Sequence, residues 1–355
     1  MAVAAAPSVA ESAVTPRLRA GEHYPRTAAE FNAWFADEDA CYAYLERLRW
    51  PNGIACPGCG ETGKVWQISR RALRCRACRH ETSVTAGTIL EDTQLPVTVW
   101  FQAAWLITNE KNGVSALSLQ RALGLKRYET SWLLLHKLRR AMVRPGRSLL
   151  EGAIEVDETY LGAAVPGKRG RGALGKAIVA VAVEKGTTGK KSQRVASGRV
   201  RLARIPDCSA LTLNAFVEDI AAPGSLIHTD AWGGYNQLEQ FGFTHEVINQ
   251  NASGDPAHVT MPHVHRVASL LKRWLLGTHQ GGGKPGQLDA YLDEFVFRFN
   301  RRKSASRGPL FYRLLEQAVQ VEHVTNDKIV AERKPRRSRD LLEFIAEAND
   351  DDIPF

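Results

Sequence analysis

The chain has 355 residues, 44% of them hydrophobic and eight of them tryptophan, enough for two or three domains with real cores, which excludes an intrinsically disordered protein. Lysine and arginine number 47 against 38 acids, a net charge of +9 that suits a polyanionic partner without naming one. No apolar run reaches the roughly 18–20 residues of a membrane span, and MAVAAAPSVAESAV lacks the basic start of a signal peptide; the expectation is a cytoplasmic protein with no membrane partner.

Residues 1–22 carry Ala, Pro, Ser and charged residues without periodicity and are expected to form a mobile tail. From Thr27 onward, Phe31, Trp34, Phe35, Cys41, Tyr42, Leu45 and Leu48 recur at helical spacings, with Asp37 to Asp39 as the break and N-cap before a second helix. Cys41 falls on the apolar side and reads as a small buried hydrophobe. With the segment that follows, this lead-in makes a unit over residues 23–90. Cys56-Pro-Gly-Cys59 and Cys75-Arg-Ala-Cys78 are two C-x2-C pairs separated by the 15 residues Gly60 to Arg74. Four thiolates so spaced close a tetrahedral zinc site. KVWQI, ALRCR and ETSVT read as short strands, hence a zinc ribbon. Its core is small, so metal binding is expected to contribute about 10 kcal/mol or more to its folding. Arg70, Arg71, Arg74, Arg76, Arg79 and His80 crowd one end, either as a solvated loop or as contacts to a DNA backbone.

Residues 91–145 show three helical patterns, near 96–109, 114–122 and 127–142. Gly124-Leu125-Lys126 joins the last two as in a helix-turn-helix, whose second helix presents its N-terminal residues to base edges. Lys126, Arg127, Tyr128 and Thr130 would be the reading end, and Trp132, Leu135 and Leu138 the packed side; a three-helix bundle without DNA contact fits the same pattern. RPGRS, residues 144–148, serves as a linker.

Residues 150–320 carry the third unit. Ala153 to Val156 is a hydrophobic run that delivers Asp157 to the end of a strand. AIVAVAVE (177–184) and RVRLARI (199–205) follow as strands. LTLNAFVEDI reads as a helix, SLIHTD (225–230) as a fourth strand ending at Asp230, and THEVIN (244–249) as a fifth. Two helices then start near Pro262 and Gly286. In the first, Val267, Leu270, Leu271, Trp274 and Leu275 line one face, while His265 and Lys272, two turns apart, lie on the other. His263 projects about 200° from His265 on an ideal helix and is expected to tolerate substitution. In the second, Asp293 and Glu294 are rival acids to His265, with Glu294 set to face Arg298 four residues on, and Arg298, Arg301 and Arg302 form a basic exit. Pro166 to Gly175 is too glycine-rich for a strand and lacks the Ser or Thr of a P-loop, so it reads as a loop against DNA phosphate. Trp232 and Tyr235 after the second Asp can pack or stack on a base. Residues 321–355 read as a charged tail with a short helix.

The strand and helix order, with acids on the first and fourth strands, resembles the RNase H-like core of DDE transposases and retroviral integrases. The two Cys pairs, VDETYLG, HTDAWGGY, LLKRWLLGTHQG and YLDEFVFRFNRR extend the resemblance, over about residues 25–320, to insertion-sequence transposases of the zinc-ribbon, ISXO-like group. The resemblance implies an α/β fold: an RNase H-like mixed-sheet catalytic core preceded by a zinc ribbon and a helix-turn-helix-like domain. It also implies metal-dependent cleavage of element ends and strand transfer into target DNA, by a homo-oligomer on paired terminal inverted repeats. Asp157, Asp230 and His265 take the three catalytic positions on Mg²⁺ or Mn²⁺, His265 standing where the family usually has an acid, and Lys272 contacts DNA at the cut. Candidate DNA contacts are Arg74, Arg76, Lys126, Arg127, Tyr128, Lys272, Arg273 and Arg301. A DNA-binding regulator with a degenerate core is the alternative, and position 265 separates the two.

Overall fold

The computed structural model describes residues 18–63, 65–69, 72–144, 146–162, 176–188, 195–248, 257–280, 285–304 and 306–331. The first 17 residues, Arg70, Arg71, the glycine-rich loop 166–175 and the sequence beyond residue 331 lie outside the described residues. Thr27 accepts from the Glu30 N–H to start α1 (Ala28–Trp34), and Asp37 accepts from the Ala40 N–H to start α2 (Glu38–Arg49), the break and cap that the aspartates imply. Strands β1 (Val65–Ser69), β2 (Ala72–Cys75) and β3 (Glu81–Thr82) form an antiparallel sheet in that order.

Helices α3 (Val97–Asn109), α4 (Ala116–Leu123) and α5 (Tyr128–Arg140) follow. Ser115 caps α4 by accepting from the Ser118 N–H. Gly124 ends it at φ 62°, a left-handed conformation that glycine adopts without strain. Gly124, Leu125 and Lys126 are thus a tight connection between two packed helices. Trp132, Leu135 and Leu138 are buried as the packed side of α5.

The helical half has one continuous core. Phe31, Phe35, Tyr44 and Phe101 from α1, α2 and α3 surround Phe311, with ring centroids 5.6, 5.7, 6.3 and 6.0 Å from it. Phe311 belongs to α10 (Gly308–Ala318), which the sequence order places with the catalytic unit. The helix buries Leu310, Phe311, Leu314, Leu315 and Ala318, and the aromatic cluster of the N-terminal helices supplies the matching surface. The last described helix, α11 (Asn326–Ala331), buries Ile329 in the same core, and Thr88 bridges to Glu322. Residues 321–331, expected to open a charged tail, are therefore docked.

The second half is a five-stranded mixed sheet in the order β6-β5-β4-β7-β8, made of β4 (Ala153–Leu161), β5 (Ala177–Thr188), β6 (Val195–Ile205), β7 (Leu226–Thr229) and β8 (Thr244–Val247). The pairs β4–β5 and β5–β6 are antiparallel, whereas β4–β7 and β7–β8 are parallel. Alternation along the strands sends Ile154, Val156, Ala180 and Ala182 to one face, against Leu213, Phe216 and Val217 of α6 (Ala210–Ile220). Val179, Val181, Val183 and Val200 go to the other, against Val267, Leu271 and Leu275 of α8 (Pro262–His279) and Leu288, Leu292 and Phe295 of α9 (Pro285–Asn300). A single turn of helix, α7 (Ala257–Thr260), precedes α8. This is the mixed α/β arrangement of an RNase H-like core. One boundary differs: β4 runs four residues past Asp157, which stands mid-strand rather than at the end, because β5 continues to pair with it through Leu161. No helix among the described residues is long and apolar enough to cross a membrane.

Candidate active site and zinc centre

The two Cys pairs converge. Cys56, Cys59, Cys75 and Cys78 place their sulfurs all within 4.8 Å of one another, with Cys56–Cys78 at 3.5 Å and Cys59–Cys75 at 3.7 Å. A tetrahedron of Zn–S bonds of about 2.3 Å has edges of about 3.8 Å, so the four residues fit a zinc ion. Backbone N–H groups of Cys78 and Ala77 lower the Cys75 thiol to about 7. The Glu61 N–H favours the Cys59 thiolate in the same way, but the neighbouring sulfurs outweigh it and raise Cys59 to about 12. Four crowded thiols cannot all ionise without a cation, and a zinc ion would remove that opposition.

The sheet assembles the other site. Glu155 of β4 pairs with His228 of β7, and continuing that register by two residues sets Asp230, the residue that follows β7, beside Asp157 of β4. Asp157 Oδ1 accepts from the Glu158 N–H at 2.8 Å and Asp230 Oδ1 from the Trp232 N–H at 3.0 Å. His265, on α8, brings Nε2 to 3.9 Å from Asp157 Oδ2, with side chains 31% and 21% exposed. Both side chains are partly exposed, although the Nε2 atom of His265 is itself buried. Among the described residues, only the four cysteines bring three or more metal-capable ligand atoms within 4.8 Å; Asp157, Asp230 and His265 do not close to that distance together. Two carboxylates with an imidazole nevertheless make a donor set that fits Mg²⁺ or Mn²⁺.

Three further residues shape the site, and periodicity alone does not single them out. Tyr235 is fully buried and donates its hydroxyl to Glu158 Oε1 at 2.6 Å. Burial, then Glu158, Asp157 and Asp230, raise this phenol well above its ordinary value. Tyr235 thus packs beneath the acids and is not free to stack on a base, whereas Trp232, 38% exposed, donates its indole N–H to Cys208 O. Glu155, fully buried, accepts the His263 and Val264 N–H groups at 2.8 and 3.0 Å. His263, expected to tolerate substitution, is buried against the Ser197 hydroxyl at 3.0 Å and Glu155. A 200° separation from His265 turns it away from the acids and into the sheet.

The basic candidates divide. Lys126, Arg127 and Tyr128 are exposed at the start of α5, and Lys272 and Arg273 are exposed on α8. Arg74 is paired with Glu81 and, like Arg76, lies 5.9 Å from the Trp66 ring centroid. Arg301 folds back over Phe297 at 4.0 Å and donates to its carbonyl; burial lowers it to about 10. Arg298 donates to the carbonyls of Ile107, Glu110 and Lys111, and Arg302 to those of Ser197, Gly198 and Phe299. The expected basic exit is therefore largely spent on sealing α9 to its neighbours. Glu294 is not a rival to His265 and does not pair with Arg298 by hydrogen bond; its partner is Arg139.

A four-cysteine ribbon, two packed helices joined by a tight turn and an RNase H-like sheet with Asp157 and Asp230 on and just past neighbouring strands are the arrangement of a zinc-ribbon transposase. The comparisons agree. The ISXO2-like transposase domain matches residues 149–300 and the transposase zinc-ribbon domain residues 36–81, so the chain carries both a transposase domain and a transposase zinc ribbon. It is also similar to an uncharacterized protein in transposable element ISH50 of Halobacterium salinarum, 27% identical over 290 residues that cover 74% of this chain and 91% of that protein.

Proposed function

We propose that the protein binds the ends of an insertion sequence and catalyses divalent-metal-dependent phosphodiester cleavage followed by strand transfer into target DNA. The observation that carries the reading is the placement of Asp157 on β4 and of Asp230 just past the end of the neighbouring β7, with His265 3.9 Å from Asp157. Asp157, Asp230 and His265 would hold Mg²⁺ or Mn²⁺. When bound, the ion lowers the pKa of an attacking water or 3′-hydroxyl and stabilises the leaving oxygen. Glu158, next to Asp157 on β4 and so turned to the other face of the sheet, accepts the Tyr235 hydroxyl and stays in the supporting wall. Lys272, exposed two turns beyond His265, supplies a cation for a scissile or flanking phosphate.

Sequence reading falls to the N-terminus of α5. Arg127 and Tyr128 stand exposed there, as the reading end of a helix-turn-helix requires. The zinc ribbon adds backbone contacts, and strand transfer on paired ends calls for a homo-oligomer. The test is incubation of the zinc-loaded protein with DNA carrying candidate terminal repeats, with and without Mg²⁺ or Mn²⁺. Metal-dependent nicks at the repeat ends and joined products are expected. Specific end binding without cleavage in either metal would overturn the catalytic reading in favour of a DNA-binding regulator.

A further inference from the structure

Helix α8 begins without a cap of its own. Its N-cap residue is Met261, whose side chain offers no acceptor, and Pro262 follows at the first helical position. The next two N–H groups, of His263 and Val264, would be unsatisfied in a buried setting. Both donate instead to one oxygen, Glu155 Oε2, at 2.8 and 3.0 Å, from a strand more than a hundred residues earlier in the chain. The carboxylate is fully buried and aligned with the positive end of the helix, where a negative charge is most favourable. Its other oxygen lies 4.0 Å from Lys185 Nζ and 3.9 Å from His263 Nε2. The Ser197 hydroxyl holds the opposite nitrogen of that ring at 3.0 Å.

Two residues beyond Glu155 on β4 is Asp157, and one residue beyond Val264 on α8 is His265. We propose that Glu155 is a positioning residue: its carboxylate fastens the start of α8 to β4 and thereby sets His265 against Asp157. The proposal rests on the reading of Asp157, Asp230 and His265 as metal-binding residues. A helix docked only by Val267, Leu271 and Leu275 could slide along the sheet, because apolar contacts are not directional. Two short hydrogen bonds to one buried oxygen fix both its height and its rotation.

Because both N–H groups meet the same oxygen, glutamine can replace the carboxylate and keep both bonds, aspartate is too short to reach them, and leucine removes the acceptor. The test uses the full-length zinc-loaded chain as wild type, Glu155→Gln, Glu155→Asp and Glu155→Leu. Calorimetric Mn²⁺ titration measures the site without turnover, and amide hydrogen exchange over residues 262–271 reports the helix start whether or not DNA is cut. Glu155→Gln is expected to bind Mn²⁺ within about threefold of wild type, and Glu155→Asp and Glu155→Leu roughly tenfold or more weaker, the scale on which removed supports of metal ligands act. The weak variants should exchange faster at the start of α8 while keeping zinc content and end-DNA affinity. Should Glu155→Leu not fold, Glu155→Asp carries the comparison. Unchanged exchange and Mn²⁺ affinity in Glu155→Asp would overturn the proposal. So would equal loss in Glu155→Gln and Glu155→Leu, which would mean that Glu155 acts through its charge. A wild type that binds no Mn²⁺ would count against the proposed metal site, while the exchange comparison would still decide whether Glu155 holds the helix.

Discussion

Arg139 Nε donates to Glu294 Oε2 across 2.9 Å, and both side chains are sealed from solvent at 2% and 0% exposure. The pair joins the last turn of α5, the helix whose other end is the candidate DNA reader, to α9 of the catalytic core. The Arg139 guanidinium also lies 4.5 Å from the Tyr291 ring centroid. Gly113 allows the approach from below: a Cβ there would sit 2.5 Å from Glu294 Oε1. Removing one partner of a buried pair leaves an uncompensated charge, which costs about 3–5 kcal/mol. Arg139→Ala and Glu294→Ala should each lower stability on that scale in chemical denaturation. The double variant Arg139→Met, Glu294→Leu should recover much of the loss. Additive losses in the double variant would show that the two do not act as a pair.

The ribbon should carry about one zinc per chain. Elemental analysis of freshly purified protein measures it. Cys59→Ser or a strong chelator should release the metal and unfold residues 54–82, because the three short strands bury too little apolar surface to persist alone. Protein isolated without chelator and free of zinc would refute the assignment.

Asp157→Ala and Asp230→Ala should abolish end cleavage while end binding, measured by mobility shift, stays intact. His265→Ala should lower cleavage by orders of magnitude, and His265→Glu should retain part of it, since a carboxylate serves Mg²⁺ at least as well as an imidazole. His263→Ala should act differently from both. It leaves the Ser197 hydroxyl and the Glu155 carboxylate short of a buried neighbour, so the expected effect is a loss of about 1–3 kcal/mol in stability. Full stability with lost cleavage in His263→Ala would move the site to that residue.

Binding to element ends should weaken steeply with salt, as phosphate contacts release counterions. Arg127→Ala should reduce the preference for ends over random DNA, whereas Lys272→Ala should leave that preference in place. Competition binding separates the two, and an equal loss on both DNAs for Arg127→Ala would show that α5 does not read bases.

His279 gives a pH dependence. Burial first, then Arg139 and Arg298, lower its imidazole to about 3. The folded form therefore stays neutral while the unfolded chain takes up a proton near the ordinary value of about 6.5. The unfolded state binds more protons between those values, so stability falls as pH drops from about 6.5 toward 3. Carboxylates contribute below about pH 5, which leaves pH 5–6.5 as the informative window. Denaturation midpoints across it should decline in wild type and decline less in His279→Asn. Equal slopes would show that His279 does not titrate on unfolding.

What the amino-acid sequence determined by itself was whatever depends on local spacing. The two C-x2-C pairs marked the four zinc ligands, although the 3.5 and 3.7 Å contacts that join one pair to the other come from the folding of the ribbon. The short apolar runs at 153–156, 177–184 and 199–205 marked strands that the structure extends to 153–161, 177–188 and 195–205, and the stripe Val267, Leu271, Leu275 specified the buried face of α8. Asp37 and Gly124 marked helix ends because their capping partners lie within four residues. Only the tertiary structure decided which surface each apolar face meets, and hence that Phe311 and Ile329 join the N-terminal helices. It also decided the polar pairings. The local i,i+4 rule points Glu294 at Arg298, yet Arg298 is drawn to the carbonyls at the end of α3 and Glu294 to Arg139, 155 residues away. In a solvated helix, spacing chooses a charge's partner. In a dry interior, the unmet backbone groups and charges brought by other elements choose it, and their positions exist only after the chain has folded.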